Sequence, residues 1–252
     1  MMQHSKVLVA SLFAVVLLTS TGCRRVRNIY SRTDEIRMGT QFVTEFNKSK
    51  EGALVVRSGP MLMRLQRVAL PIIDAARKDW DVPYTVTLIK DNEINAFAVP
   101  GGPMYVNTGL MQLATTDDEL ASVLAHEVSH IVKRHSAQQL SDAAVKQGVA
   151  GILFGRSNAD VRSVVGLTLS LKDREFSRGD ESQSDEYGFK YLVAAGYNVR
   201  GMASMFTKMQ DSAAKSNEKL AFLSTHPLTR KRIEAAEKRA ESYENGTWKS
   251  PK

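Results

Sequence analysis

His126-Glu127-Val128-Ser129-His130 lies in a segment that opens on Thr115-Thr116-Asp117-Asp118-Glu119 and carries Leu120, Val123, Leu124, Val128 and Ile131 at helical spacing. Hydroxyl and carboxylate side chains ahead of an apolar stripe mark a helix start, and acids in the first turn suit the helix dipole. On such a helix the two histidines are about 40° apart around the axis. Both rings can then address one metal ion at Zn–N distances of about 2.0–2.1 Å. Glu127, beside the first histidine, is within reach of a proton on a metal-held water. That combination is the chemistry of a zinc-dependent peptidase.

Two histidines leave a ligand missing. A gluzincin-type site takes its third from a carboxylate on a later helix, and Ser177-Arg178-Gly179-Asp180-Glu181-Ser182-Gln183-Ser184-Asp185 supplies the best candidate. Glu181 is expected to bind zinc. Asp185, one turn on and on the same face, is placed to hold a ligand imidazole, fixing its tautomer and raising its basicity. The alternative is a solvated acidic face, since Asp180 and Glu186 stand beside them.

With these blocks the chain resembles the M48 family of metallopeptidases. Asn95-Ala96-Phe97-Ala98-Val99-Pro100-Gly101-Gly102, with Tyr105-Val106 and Thr108-Gly109-Leu110, is similar to one family block. Glu119-Leu120 through His130, continuing to Arg134-His135, is a second. The Ser177 to Asp185 stretch is similar to the family's SRxxExxAD, and His226-Pro227 with Arg232-Ile233 to its HPxxxxRI. The resemblance spans residues 95 to 233. Two positions depart from it: Ser184 replaces the usual alanine, and Gln183 stands where relatives often carry an acid. Neither touches His126, His130 or Glu181.

The resemblance places His226 close to the metal cleft, as an oxyanion donor or as a latch in the open zinc position; a capping or core role is the alternative. Arg232 is a second oxyanion candidate and Tyr187 a weaker one. His135 is five residues beyond His130, about 140° round the helix, and cannot share the 126/130 face. It also misses the six-residue spacing of a metzincin third histidine, so it is expected near the site but not as a ligand.

The sequence before residue 53 carries targeting signals. Lys6 precedes an apolar run from Val7 to Leu18 broken only by Ser11, too short to cross a bilayer of about 30 Å. It has the character of a signal-peptide core. Gly22 directly before Cys23, the only cysteine, resembles a bacterial lipobox, although Ser20 stands where leucine is usual. Segment 1–22 is expected to be removed and Cys23 lipidated; cleavage by the general signal peptidase, or a stray cysteine, is the alternative. Arg24, not aspartate, follows, which favours the periplasmic face of the outer membrane over the inner membrane or the soluble periplasm. The net charge of +7 includes Arg24, Arg25 and Arg27 beside the lipid site, suited to anionic headgroups. Nucleic acid is excluded as a partner by that compartment.

Residues 23–52 are expected to hold the lipid site, the basic segment and a first helix from Thr33 to about Lys48. A metallopeptidase domain would fill 53–242, with a disordered tail at 243–252. Met61 to Lys78 has a core-packing helical pattern with Pro71 inside it. Tyr84 to Ile89 is rich in strand formers, and Ala96 to Val99 pairs with Met104 to Asn107 as a hairpin about Pro100-Gly101-Gly102-Pro103. Ala96, Phe97, Ala98 and Val99 are the expected substrate-binding edge, because zincins pair an extended substrate backbone beside the metal helix; a purely structural hairpin is the alternative. Ser141 to Leu171 has apolar runs of eight residues or fewer, too short to span a membrane.

The fold class is α+β: a mostly helical, gluzincin-like zincin domain with a small sheet. One Zn2+ per chain on His126, His130 and Glu181, with Glu127 as general base, makes an endopeptidase. The family resemblance implies misfolded or damaged envelope proteins as substrates. The rival is a latched periplasmic chaperone or scaffold of outer-membrane protein assembly with little constitutive proteolysis.

Overall fold

The structure, a computed structural model, describes residues 28–146, 175–216 and 220–251. The expected signal segment, Cys23 and most of the glycine-rich interval Ser141 to Leu171 lie outside the described residues. In chain order the elements are α1 (Arg32–Lys48), a 3-10 turn (Glu51–Leu54), α2 (Pro60–Arg77), β1 (Thr85–Ile89), β2 (Ala96–Ala98), β3 (Pro103–Asn107) and α3 (Thr108–Leu113). They continue as α4 (Asp117–Val132), α5 (His135–Lys146), α6 (Arg178–Ala195), α7 (Arg200–Ser216), α8 (Ala221–Thr225) and α9 (Arg230–Glu244). The class is the expected one, mostly helical with one three-stranded sheet. Among the described residues no helix is long and apolar enough to cross a membrane.

Helix α4, which carries the HExxH stretch, is the centre of the molecule. Thr116 and Glu119 form a capping box that satisfies two orphan donors at its start. Glu119 through Ile131 is buried without a break. A helix buried on all sides must be packed all round, and α2, α6, α7 and β2 do this. The approach of α6 depends on Gly188: a Cβ there would lie 3.2 Å from the backbone nitrogen of His126. A side chain there would crowd the α4 backbone at Ala125 and His126, so glycine permits the close approach of the two helices. Pro71 sits inside α2, which continues to Arg77.

The sheet order is β1-β3-β2, with β1 parallel to β3 and β2 antiparallel to it. The hairpin is as expected, whereas the parallel pairing of β1 is a long-range contact that strand propensity does not reveal. β2 is an edge. The Val99 N–H donates to the Pro103 carbonyl and the Asn107 N–H to the Asn95 carbonyl. Antiparallel alternation therefore turns the backbone groups of Ala96 and Ala98 outward. At the hairpin turn Gly101 has φ 85°, and a Cβ on it would fall 2.1 Å from the Glu35 carbonyl oxygen, so α1 lies directly on the turn.

Helix α1 is tied to the end of α4 by Arg134, which adopts φ 61° just beyond the helix. Its guanidinium donates to Glu35 Oε1 at 2.6 Å and to the Tyr30 carbonyl, and it stacks over the Trp80 ring. Burial raises the Glu35 carboxyl to about 7, a rise that Arg134 only partly opposes. The folded state therefore favours the protonated acid. This contribution is fully present below the ordinary value near 4.5 and is lost as pH rises towards 7, by at most about 3 kcal/mol. The melting temperature of the wild type is expected to fall more steeply than that of Glu35→Gln between pH 5 and 7 in parallel thermal melts.

The C-terminal stretch differs from the disordered tail expected for 243–252. α9 runs to Glu244, and the Thr247 and Trp248 N–H groups donate to the Ser242 carbonyl. Trp248 packs on Phe189 with ring centroids 5.3 Å apart and on Tyr243 at 5.9 Å. One aromatic in a polar segment has enough apolar area to hold the chain end against α6.

Candidate metal centre

Four buried side chains from three parts of the chain converge on one point: His126, His130, Glu181 and His226. His126 and His130 project from one face of α4, as the i, i+4 spacing requires. Glu181 comes from the first turn of α6, whose start is fixed by a capping box of Ser177 and Asp180. His226 directly follows α8, and its backbone N–H donates to the Phe222 carbonyl.

The donor atoms stand at the separations of a coordination shell. His130 Nε2 is 3.1 Å from His126 Nε2, and His226 Nδ1 is 3.2 Å from it. Glu181 Oε1 lies 3.0 Å from His226 Nδ1 and 3.3 Å from His130 Nε2, and Glu181 Oε2 is 3.5 Å from His126 Nε2. Zn–N bonds of about 2.0–2.1 Å in a tetrahedron give an edge of about 3.3 Å. Protons alone satisfy this cluster poorly, because His126 Nε2 faces two other ring nitrogens and can share a proton with only one. A single cation at the centre satisfies all four donors, and imidazole with carboxylate suits zinc.

Surrounding groups point the lone pairs inward. Asp185 Oδ1 is 3.0 Å from His126 Nδ1, the relation expected from its position one turn after Glu181. On the other ring, His135 Nδ1 is 3.0 Å from His130 Nδ1, and His135 Nε2 is 2.9 Å from Gln183 Oε1. His135 is thus beside the site and outside the converging donor set. Its partner Gln183 went unnoticed in the sequence as a contact, because the pairing joins α5 to α6.

Arg232 is not placed as an oxyanion donor. It is buried, with Nε and Nη2 each 2.7 Å from Asp185 oxygens. Its Nη1 is 2.5 Å from Glu181 Oε2 and donates to the Pro227 carbonyl at 2.9 Å. All its donor groups are engaged behind the two acids. The Tyr187 ring lies beneath the Lys133 ammonium at 3.9 Å.

The electrostatics suit a cation with a base beside it. Burial opposes a charge on His126, yet Glu181 and Asp185 outweigh it and raise the imidazole to about 9. Burial holds His130 well below its ordinary value. Glu181 is held well below the usual carboxylate range because His226 and His126 outweigh its burial, and Asp185 is lowered because Arg232 outweighs its burial. Glu127 moves the other way: burial raises it, only partly offset by the neighbouring histidines and the Ala98 N–H. Its Oε1 is buried without a hydrogen-bond partner, 3.4 Å from His226 Nε2. Ala96 is buried, while Phe97 and Ala98 are half-buried, with Phe97 stacked on Tyr105. Val99 is part of the turn.

The model of peptidase family M48 matches residues 62–240. The chain is 28% identical over 217 residues to the beta-barrel assembly-enhancing protease of Escherichia coli K12, covering 82% of this chain and 44% of that one. The protein of the same name from Yersinia pestis is 29% identical over 168 residues, 63% of this chain and 35% of that one. The mitochondrial metalloendopeptidase OMA1 of Schizosaccharomyces pombe is 29% identical over 222 residues, 85% of this chain and 63% of its own length. The chain spans less than half the length of the bacterial relatives.

Proposed function

Because the chain belongs to peptidase family M48, we propose that it is a zinc-dependent endopeptidase acting on misfolded or damaged proteins of the cell envelope. The observation that carries this reading is the convergence of His126 Nε2, His130 Nε2 and Glu181 beside a buried Glu127 whose carboxyl is raised. These three residues would hold one zinc ion per chain, with Asp185 and His135 orienting the two imidazoles. Bound zinc supplies Lewis acidity to the scissile carbonyl and to the attacking water.

Glu127 takes a proton from that water and later delivers it to the leaving amine nitrogen. The Ala98 N–H aims its carboxylate, while Oε1 stays free to accept. With the Ala98 N–H engaged by Glu127 and Ala96 buried, the outward Ala98 carbonyl is the point at which β2 pairs with an extended substrate, a form of recognition blind to side chains and suited to unfolded segments. Arg232 acts as a positioning residue, since removing it would leave the buried Asp185 without its main counter-charge and Glu181 without one of its ion-pair partners. Cys23 as a lipid attachment site would hold the enzyme at the periplasmic face of the outer membrane. The names of the bacterial relatives support a link to outer-membrane protein assembly.

A second reading is favoured by one observation. His226 Nδ1 stands among the donor atoms, where a fourth ligand would close the site. This is the arrangement of a latched protein with little constitutive proteolysis, compatible with a chaperone or scaffold role in outer-membrane assembly.

The test uses protein starting after Cys23. Zinc at one equivalent per chain and cleavage of casein, abolished by a chelator and restored by zinc, are the expected results. Absence of bound zinc after expression in zinc-replete medium would overturn the site; zinc without cleavage would move the reading to the latched form.

A further inference from the structure

A cavity of about 200 Å³ opens beside Glu181, between the start of α6 and one face of α9. Its inner wall is the cluster of Glu181, Asp185 and Arg232, in which the two acids are already paired with the arginine at 2.5 and 2.7 Å. Around it stand Arg178, Lys231 and Arg239, with Phe176, Pro227 and Ala235 as apolar walls. Among the described residues none of these three cations has an ion-pair partner, and nearby Glu234 is bonded to Arg230 at 2.9 Å. Arg239 is half-buried on this wall, and among the described residues its Nη1 has no hydrogen-bond acceptor.

We infer that this cavity is a specificity subsite for a carboxylate of the polypeptide bound at the neighbouring site, either an acidic side chain or a free C-terminus. The inference rests on the peptidase reading of that site. The space is smaller than the ~300–1,000 Å³ of whole small-molecule pockets, and it suits a single side chain. The apolar walls take a short aliphatic stem, while Arg239 and Arg178 present planar forks to its carboxylate. The Glu181 and Asp185 charges do not repel the ligand strongly, because Arg232 and the histidine cluster already balance them. Selectivity of this kind would add to the sequence-blind pairing at the Ala98 carbonyl, choosing a register on an otherwise uniform backbone.

The test separates binding from catalysis. Zinc-loaded Glu127→Gln protein is titrated with fluorescein-labelled unstructured decapeptides: one with a single central glutamate and an amidated end, its glutamine twin, and the glutamine peptide with a free C-terminus. The expected result is about tenfold tighter binding of one carboxylate peptide than of the amidated glutamine peptide. The arm that shows it identifies the source of the carboxylate. That advantage is expected to vanish in Arg239→Gln and to shrink in Arg178→Gln, an exposed position that leaves the fold intact. Equal affinities, no binding of any peptide, or an advantage that survives both substitutions would overturn the subsite. Carboxylate preference in a protein whose wild type cleaves nothing would leave the subsite standing and remove the peptidase reading instead.

Discussion

Glu127→Gln is expected to lower casein cleavage by about 10²–10⁴-fold while bound zinc stays at one equivalent per chain. The amide keeps the shape and the hydrogen bond from the Ala98 N–H, but it cannot take a proton from water. The position is favourable for a base: burial raises the carboxyl, and among the described residues Oε1 has no hydrogen-bond partner, with His226 Nε2 at 3.4 Å. Glu127 is outside the set of converging donor atoms, so zinc content reports on the metal site independently of the rate. Metal analysis and cleavage rates on one preparation settle the matter. Loss of both zinc and activity would make Glu127 structural, and unchanged activity would place the base elsewhere.

The parts of this site that lay within one helix were legible in the sequence. The capping box of Thr116 and Glu119, the His126/His130 pair and the Glu181/Asp185 pair all depend on spacings of three or four residues, which helix geometry converts directly into shared faces. What the chain order concealed were contacts between elements. Arg232 has the chemistry of an oxyanion donor, but the packing of α9 on α6 commits its fork to Asp185 and Glu181. Glu119, placed by the sequence in an acidic first turn suited to the helix dipole, is buried and also bonded to Ser204 and Lys208 of α7. The parallel β1–β3 pairing and the Gln183–His135 contact likewise depend on how elements dock. A tail judged by its polar composition is held by Trp248 on Phe189 and by hydrogen bonds to the Ser242 carbonyl. Local periodicity thus located the chemistry, and tertiary packing decided which polar groups remain free to perform it.

His226→Ala separates the two readings of this centre, and a rise in casein cleavage is expected. In the structure His226 Nδ1 completes a four-donor cluster, 3.0 Å from Glu181 Oε1 and 3.2 Å from His126 Nε2. A zinc site closed by four protein donors has no position for water, whereas three donors leave one open. Substrate must therefore act on the fraction of molecules in which His226 has withdrawn, and the apparent rate is scaled by that fraction. If closure is favoured by about 1.4–2.8 kcal/mol, deleting the imidazole raises kcat/KM by about 10- to 100-fold. His126, His130 and Glu181 remain to hold the metal, so zinc content should stay at one equivalent. The opposite outcome has a distinct origin: an oxyanion donor lost from a productive site lowers kcat by about 10²–10³-fold. His226→Gln refines the comparison, since its amide N–H can donate to an oxyanion but binds zinc poorly. Activation in both variants identifies a latch; loss in alanine with recovery in glutamine identifies a donor.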